Sequence, residues 1–284
     1  MKHECFECHT RTIEKLIEKF NPPNGVAREL QLSAYRLLIE NQGLTNPHLS
    51  TLLHRLAKKQ LQEEDLFFHE KSMANRALME QYSNWKKKVD ESDDSFLMAT
   101  RLAVAGNIID YGAHSAKANV PCQVSSLLEK PFVIDERDAL RQEIKQAGSI
   151  LYLGDNAGEI VFDKLLIETI NHPNVTFVVR GFPVINDATR FDAEQTGLDK
   201  ICRIIDNGHD APSTLMEHAS SQLREAFENA DLIISKGQGN FEGLMHSGKE
   251  NIFFMLMAKC EPIAELLKVK KGDLVVASQG RIRS

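Results

Sequence analysis

Residues 151–160, LYLGDNAGEI, decide how this chain reads. Leu151, Tyr152 and Leu153 form a short apolar run of strand type that stops at Gly154, and then come an acid, an amide, a second glycine and Glu159. A buried strand that passes through such a turn into an apolar helical segment is the start of a βαβ unit. In open parallel sheets, ligands bind outside the carboxyl ends of the strands, so the turn is also the first place to look for function.

The rest of the second half repeats that rhythm. Short β-branched runs occupy 150–153, 175–179, 201–205, 232–234, 252–257 and 274–277, and helical patterns at 161–170, 213–228 and 262–267 lie between most of them. The first half has a different period. Apolar residues three and four apart predict helices over 11–20, 26–40, 47–60, 66–89 and 96–106, with breaks at Pro22-Pro23, Asn41-Gln42-Gly43 and Glu91-Ser92-Asp93-Asp94. Lys86, Lys87 and Lys88 fit a solvated helix end, where cations suit the dipole. The fold class expected is α/β: a helical N-terminal domain, residues 1–138, followed by an α/β/α sandwich with a mostly parallel, Rossmann-like sheet, residues 139–284.

Bulk properties narrow the function. At 284 residues the chain can bury a large core, and 42% hydrophobic with 26% charged residues is ordinary for a globular protein. A net charge of -6 argues against nucleic acid as the main partner, because a phosphate backbone needs a basic face. No apolar run reaches the roughly 20 residues that span a bilayer, and the N-terminus lacks a signal-like apolar core. Five cysteines, an odd number, do not suggest a disulfide framework. The expectation is a reduced, cytoplasmic protein.

Four loops at strand ends carry the chemistry: GDNAGE (154–159), RGFPVIND (180–187), DNG (206–208) and SKGQGNFE (235–242). The first lacks the third glycine of a dinucleotide turn and puts a carboxylate where a pyrophosphate would approach. No Gly-Lys-Ser/Thr ends a Walker A loop, and Asn156 breaks an Asp-x-Asp nucleophile pattern. Hard divalent cations take oxygen ligands, and Asp155, the Asn156 amide oxygen and Asp187 can supply three from two strand ends. A helix cap is the plain alternative for Asp155-Asn156 alone; the second acidic loop favours the metal. Lys236 and the glycines of KGQGN offer a charge and backbone N–H groups to a phosphate, against the alternative of a flexible turn.

Together, GDNAGE, RGFPVIND and SKGQGNFE resemble the motifs of the metal-dependent damage-control phosphatases, in order and over most of the chain. Cys5-x-x-Cys8 and the AGNIID stretch, 105–110, look like the mainly prokaryotic branch. The resemblance implies Asp155, Asn156 and Asp187 as ligands of one divalent cation (Mg²⁺, Mn²⁺, Co²⁺ or Ni²⁺). It implies Lys236, Gly237, Gly239 and Asn240 at the phosphate, with Arg180 and Asn186 bordering the pocket and Asp155, Glu159 and Lys236 as catalytic candidates. Asn107 and Asp110 share a helix face that the resemblance turns toward the cleft; a hydrogen-bonded helix-end pair is the alternative. The function expected is hydrolysis of small phosphorylated metabolites. An S-adenosylmethionine-dependent carboxyl methyltransferase and a non-catalytic phosphometabolite-binding protein are the alternatives. Cys5-x-x-Cys8 has no second pair to complete a zinc site, and its role is open; for Cys122, Cys202 and Cys260 a buried thiol is favoured.

Overall fold

The computed structural model describes residues 2–106 and 128–283; Asn107, Asp110 and Cys122 lie outside them. The first three helices, α1 (His3–Phe20), α2 (Asn24–Glu40) and α3 (Asn46–Leu61), form a small bundle. Their apolar residues at helical spacing, Ile13 and Leu16, Leu30, Ala34 and Leu38, Leu49 and Leu53, make a core of their own. Helix α1 starts nearer the N-terminus than its apolar period indicates, so Cys5 and Cys8 sit on it. It ends at Asn21, which adopts the left-handed conformation before the two prolines.

The long helix expected over 66–89 is two helices, α4 (Phe68–Glu80) and α5 (Tyr82–Asp90), broken at Gln81. With α6 (Ser95–Gly106) they leave the bundle and cover the sheet. Leu78, Trp85, Ala99 and Leu102 share one core with Phe162 and Leu166 of α8 (Glu159–Ile170). The Trp85 ring meets Phe162 edge-on at 5.4 Å.

Seven strands form one sheet: β1 (Phe132–Asp135), β2 (Ile150–Leu153), β3 (Val175–Val179), β4 (Arg203–Asp206), β5 (Leu232–Lys236), β6 (Ile252–Met257) and β7 (Leu274–Ser278). Their order is β1-β7-β6-β5-β2-β3-β4. Every pairing is parallel except β6 with β7. The sheet thus takes in one strand N-terminal to residue 139. Alternate residues serve opposite faces: Ile150 and Tyr152 pack under α6 and α8, whereas Leu151 and Leu153 pack with Leu223 of α10 (Ser221–Asn229) and Phe241 of α11 (Gly237–Leu244). The segment at 213–220 is turn and bend rather than the helix expected there. The remaining α-helices among the described residues are α7 (Arg137–Gln146), α9 (Arg190–Thr196), α12 (Glu261–Leu267) and α13 (Gln279–Arg283). Among the described residues no helix is long and apolar enough to cross a membrane.

Candidate active site

The loops after β2 and β3 are stitched together by their backbones. Ala157 N donates to Asn186 O at 2.8 Å, Ala188 N donates to Asp155 O at 2.8 Å, and Asn156 forms an isolated antiparallel bridge with Asp187. These bonds continue the β2–β3 pairing past the sheet, so Asp155, Asn156 and Asp187 meet as the two acidic loops predict. All three are buried.

Arg180, at the end of β3, ties the carboxylates from behind. Its Nε donates to Asp187 Oδ2 at 2.6 Å, its Nη1 to Asn240 Oδ1 at 3.0 Å, and its Nη2 lies 3.6 Å from Asp155 Oδ1. Asn156 Nδ2 donates to Asp155 and to Glu159 at 2.8 and 3.0 Å, which leaves the amide oxygen as the atom it offers a ligand. Burial, then the nearby Glu159 and Asp187 charges, push the Asp155 carboxyl up to about 7, against the pull of Lys259 and Arg180. Burial raises Asp187 as well, although Arg180 opposes it. Clustered buried carboxylates with an amide oxygen are the donor set of a hard divalent cation, which would relieve the repulsion that raises these acids. The residues fit such an ion.

Lys236 is placed differently from the sequence expectation. It is fully buried, and its Nζ donates to Ala103 O of α6 at 2.9 Å, to Glu159 Oε1 at 2.6 Å and to Asp163 Oδ1 of α8. An ammonium has three donors, and all three are engaged below the pocket floor. Burial alone would lower its pKa; Asp163 and Glu159 more than offset that and hold it above the ordinary lysine value. Asp163 also accepts from the Tyr152 hydroxyl at 2.7 Å, and burial raises its own pKa to about 6 against Lys236. Asn240 is equally engaged: its Nδ2 donates to Gly154 O and Lys236 O, and its Oδ1 accepts from Arg180 and Thr214. Gly237 has a reason to be glycine. Its φ is +79°, and a Cβ there would overlap the Asp155 carboxylate.

A cavity of about 340 Å³ opens over this cluster. Asp155, Asn156, Asn186, Asp187 and Gly239 line it, whereas Glu159, Arg180, Lys236, Gly237 and Asn240 lie outside its lining. Its far wall comes from the N-terminal bundle, through Cys5 and Cys8 of α1 and Asn46 and Ser50 of α3. Lys259 and Cys260, just beyond β6, complete the rim.

Comparison with known proteins places the chain in a family. Residues 1–275 match the family described as the damage-control phosphatase ARMT1-like domain. The chain belongs to the damage-control phosphatases. The match begins at residue 1, so the N-terminal helices are part of the family's domain. The chain is similar to a protein of Pyrococcus horikoshii named a damage-control phosphatase, with 32% identity over 97% of this chain and 96% of that one. It is also similar to a damage-control phosphatase of Archaeoglobus fulgidus, 35% identical over 84% and 85% of the two chains. A crystal structure of a DUF89 family protein from Pyrococcus horikoshii matches with a TM-score of 0.90 at 31% identity, covering 98% of this chain and 99% of that one.

Two residues that matter to this damage-control site escaped the sequence reading. Asp163 follows Glu159 by four on one helix, a spacing that puts both on one face and was available as a signal. Lys259 follows a strand of the same sheet and so occupies a position of the informative class. The wall contributed by Cys5 and Cys8 is tertiary, and no local spacing announces it.

Proposed function

We propose that the chain is a divalent-metal-dependent phosphatase acting on small phosphorylated metabolites. The observation that carries this reading is the buried cluster of Asp155, Asn156 and Asp187 on the floor of a cavity whose rim holds a lysine. A bound Mg²⁺, Mn²⁺, Co²⁺ or Ni²⁺ would polarise the phosphoryl group and supply an activated water. Asp155 and Asp187 would hold the ion, with Asn156 oriented for it by its two side-chain bonds. Lys259 is the cation that faces the cavity; its charge draws down both Asp155 and Asp187, and it is placed to neutralise phosphoryl oxygens as negative charge develops. Lys236 serves a positioning role, because its donors hold Glu159 and, through Glu159, the Asn156 amide. A cavity of about 340 Å³ suits a sugar phosphate or a comparable small metabolite.

The methyltransferase alternative has no comparable support, since the turn after β2 presents an acid and an amide where that cofactor wants glycines. The test is a panel of phosphate esters assayed after chelator treatment and after return of each ion, with metal content measured alongside. Hydrolysis should vanish and return, and Asp187→Ala should lose bound Mg²⁺ and turnover. Robust turnover by metal-free protein would overturn the mechanism.

A further inference from the structure

A second cavity, about 350 Å³, lies between α3 and residues 209–218. Most of its wall is apolar, from Leu44, Leu52, Ala211 and Leu215. Its charged pair, Arg55 and Asp210, is self-satisfied: Arg55 Nε and Nη2 clasp the carboxylate at 2.6–3.1 Å. Three imidazoles remain. His48 Nε2 is 3.0 Å from Glu217 Oε1, the His48 and His218 rings are 5.8 Å apart, and His209 lies 6.3 Å from His218. One ligand atom each from His48, Glu217 and His218 fits within a 4.8 Å sphere of mutual distance.

We infer that His48, Glu217 and His218 form a second metal site, for a borderline transition ion such as Zn²⁺, with an open coordination position toward this cavity. Two imidazoles and one carboxylate suit Zn²⁺, Co²⁺ or Ni²⁺ and disfavour Mg²⁺, unlike the all-oxygen cluster at Asp155. Tetrahedral coordination at 2.0–2.1 Å brings ligand atoms to about 3.3 Å from one another, a small rotation from the arrangement seen. Glu217 and His218 are exposed and can make it.

Two further features point to a bound group rather than a surface ion pair. The other nitrogen of His48, Nδ1, lies 2.7 Å from the Thr45 hydroxyl, the outer partner that a metal-ligating histidine uses to fix its ring. His209 is 7% exposed, and its Nδ1 accepts from Ala211 N at 3.0 Å, so its neutral ring carries the proton on Nε2. That buried Nε2–H has no partner among the described residues. It is a donor for a water or small anion in the fourth position. The Arg55–Asp210 clasp holds α3 against the segment that brings Glu217 and His218, and the Lys58 Nζ bond to Pro183 O at 2.9 Å ties the same helix to the loop after β3.

The test is direct. Chelator-stripped full-length protein is dialysed against Zn²⁺ alone, and bound zinc per chain is measured by mass spectrometry with protein concentration. Parent and Asp187→Ala should both hold this zinc; His48→Ala, His218→Ala and Glu217→Gln should each hold one equivalent less than the parent. Thr45→Val should bind it roughly 10-fold more weakly through loss of the outer partner. Glu217 is exposed, so Glu217→Gln tests the site even if a histidine variant folds poorly. Zinc, but not magnesium, should raise the thermal midpoint of Asp187→Ala. Equal zinc content and affinity across parent, His48→Ala and Glu217→Gln would overturn the inference.

Discussion

Replacing Lys236 by Met tests the buried triad most sharply. The methionine keeps the bulk of the side chain but removes the charge that faces Glu159 and Asp163, both fully enclosed. Two carboxylates cannot remain ionised there without it, so at least one takes up a proton. Removing one partner of a buried ion pair costs roughly 3–5 kcal/mol. In a chain of this size that lowers the melting temperature by roughly 8–16 °C. The sign of its pH dependence follows. The variant's folded-state carboxyl pKa is raised above the unfolded value, so the deficit is largest at high pH and shrinks as pH falls. At pH 5 the parent's Asp163, raised to about 6, is itself largely protonated, so the gap between parent and variant narrows. Urea unfolding of parent and variant at pH 7 and pH 5 reads both gaps, and adding Glu159→Gln and Asp163→Asn should restore most of the loss. A Lys236→Met protein that unfolds like the parent, or with a pH-independent gap, would refute the triad and return Lys236 to the cavity.

Three further outcomes are expected. Gly237→Ala should cost about 1–2 kcal/mol for its left-handed backbone and displace Asp155, weakening metal binding and slowing hydrolysis by more than about 10-fold; parent-like metal content would contradict the overlap. His54 is buried and held neutral, its pKa lowered to about 4 by burial and then by Lys58. Stability from that group is fully present above its unfolded pKa of 6.5 and is lost as pH falls through 4, by about 3 kcal/mol at most; His54→Leu should therefore lose less stability between pH 7 and 4 than the parent in matched unfolding curves. Lys259→Met should raise KM and slow turnover while metal content is unchanged, and an unaltered KM would remove Lys259 from substrate binding.

The parts of the fold that depend on local chemistry were legible. β-branched runs separated by helical periods give the central strands, and the acidic turns after β2 and β3 meet because neighbouring parallel strands end together. What failed to show depends on long-range packing. Phe132–Asp135 is a four-residue edge strand with alternating exposure, too short to stand out. The break at Gln81 has no glycine or proline to mark it. Lys236 sits at a strand end, as expected of a ligand-binding residue, but spacing along a strand does not reveal that α8 waits beneath with two acids. Gly239, in the first turn of α11, and Asn186, in the loop after β3, both line the cavity, whereas Asn107 and Asp110 fall outside the described residues.

Arg180 gives the acidic pocket a resident counterion. It joins Asp187 directly, lies beside Asp155 and is anchored in turn by Asn240, so the two carboxylates are spaced by the chain itself. A cluster held only by its ion would spring apart on every dissociation and need rebuilding before the next arrival. Here the Arg180 contacts would keep the pocket's form through each exchange. Ion capture would then be a matter of encounter and dehydration, and one cation could replace another without the pocket passing through a disordered state.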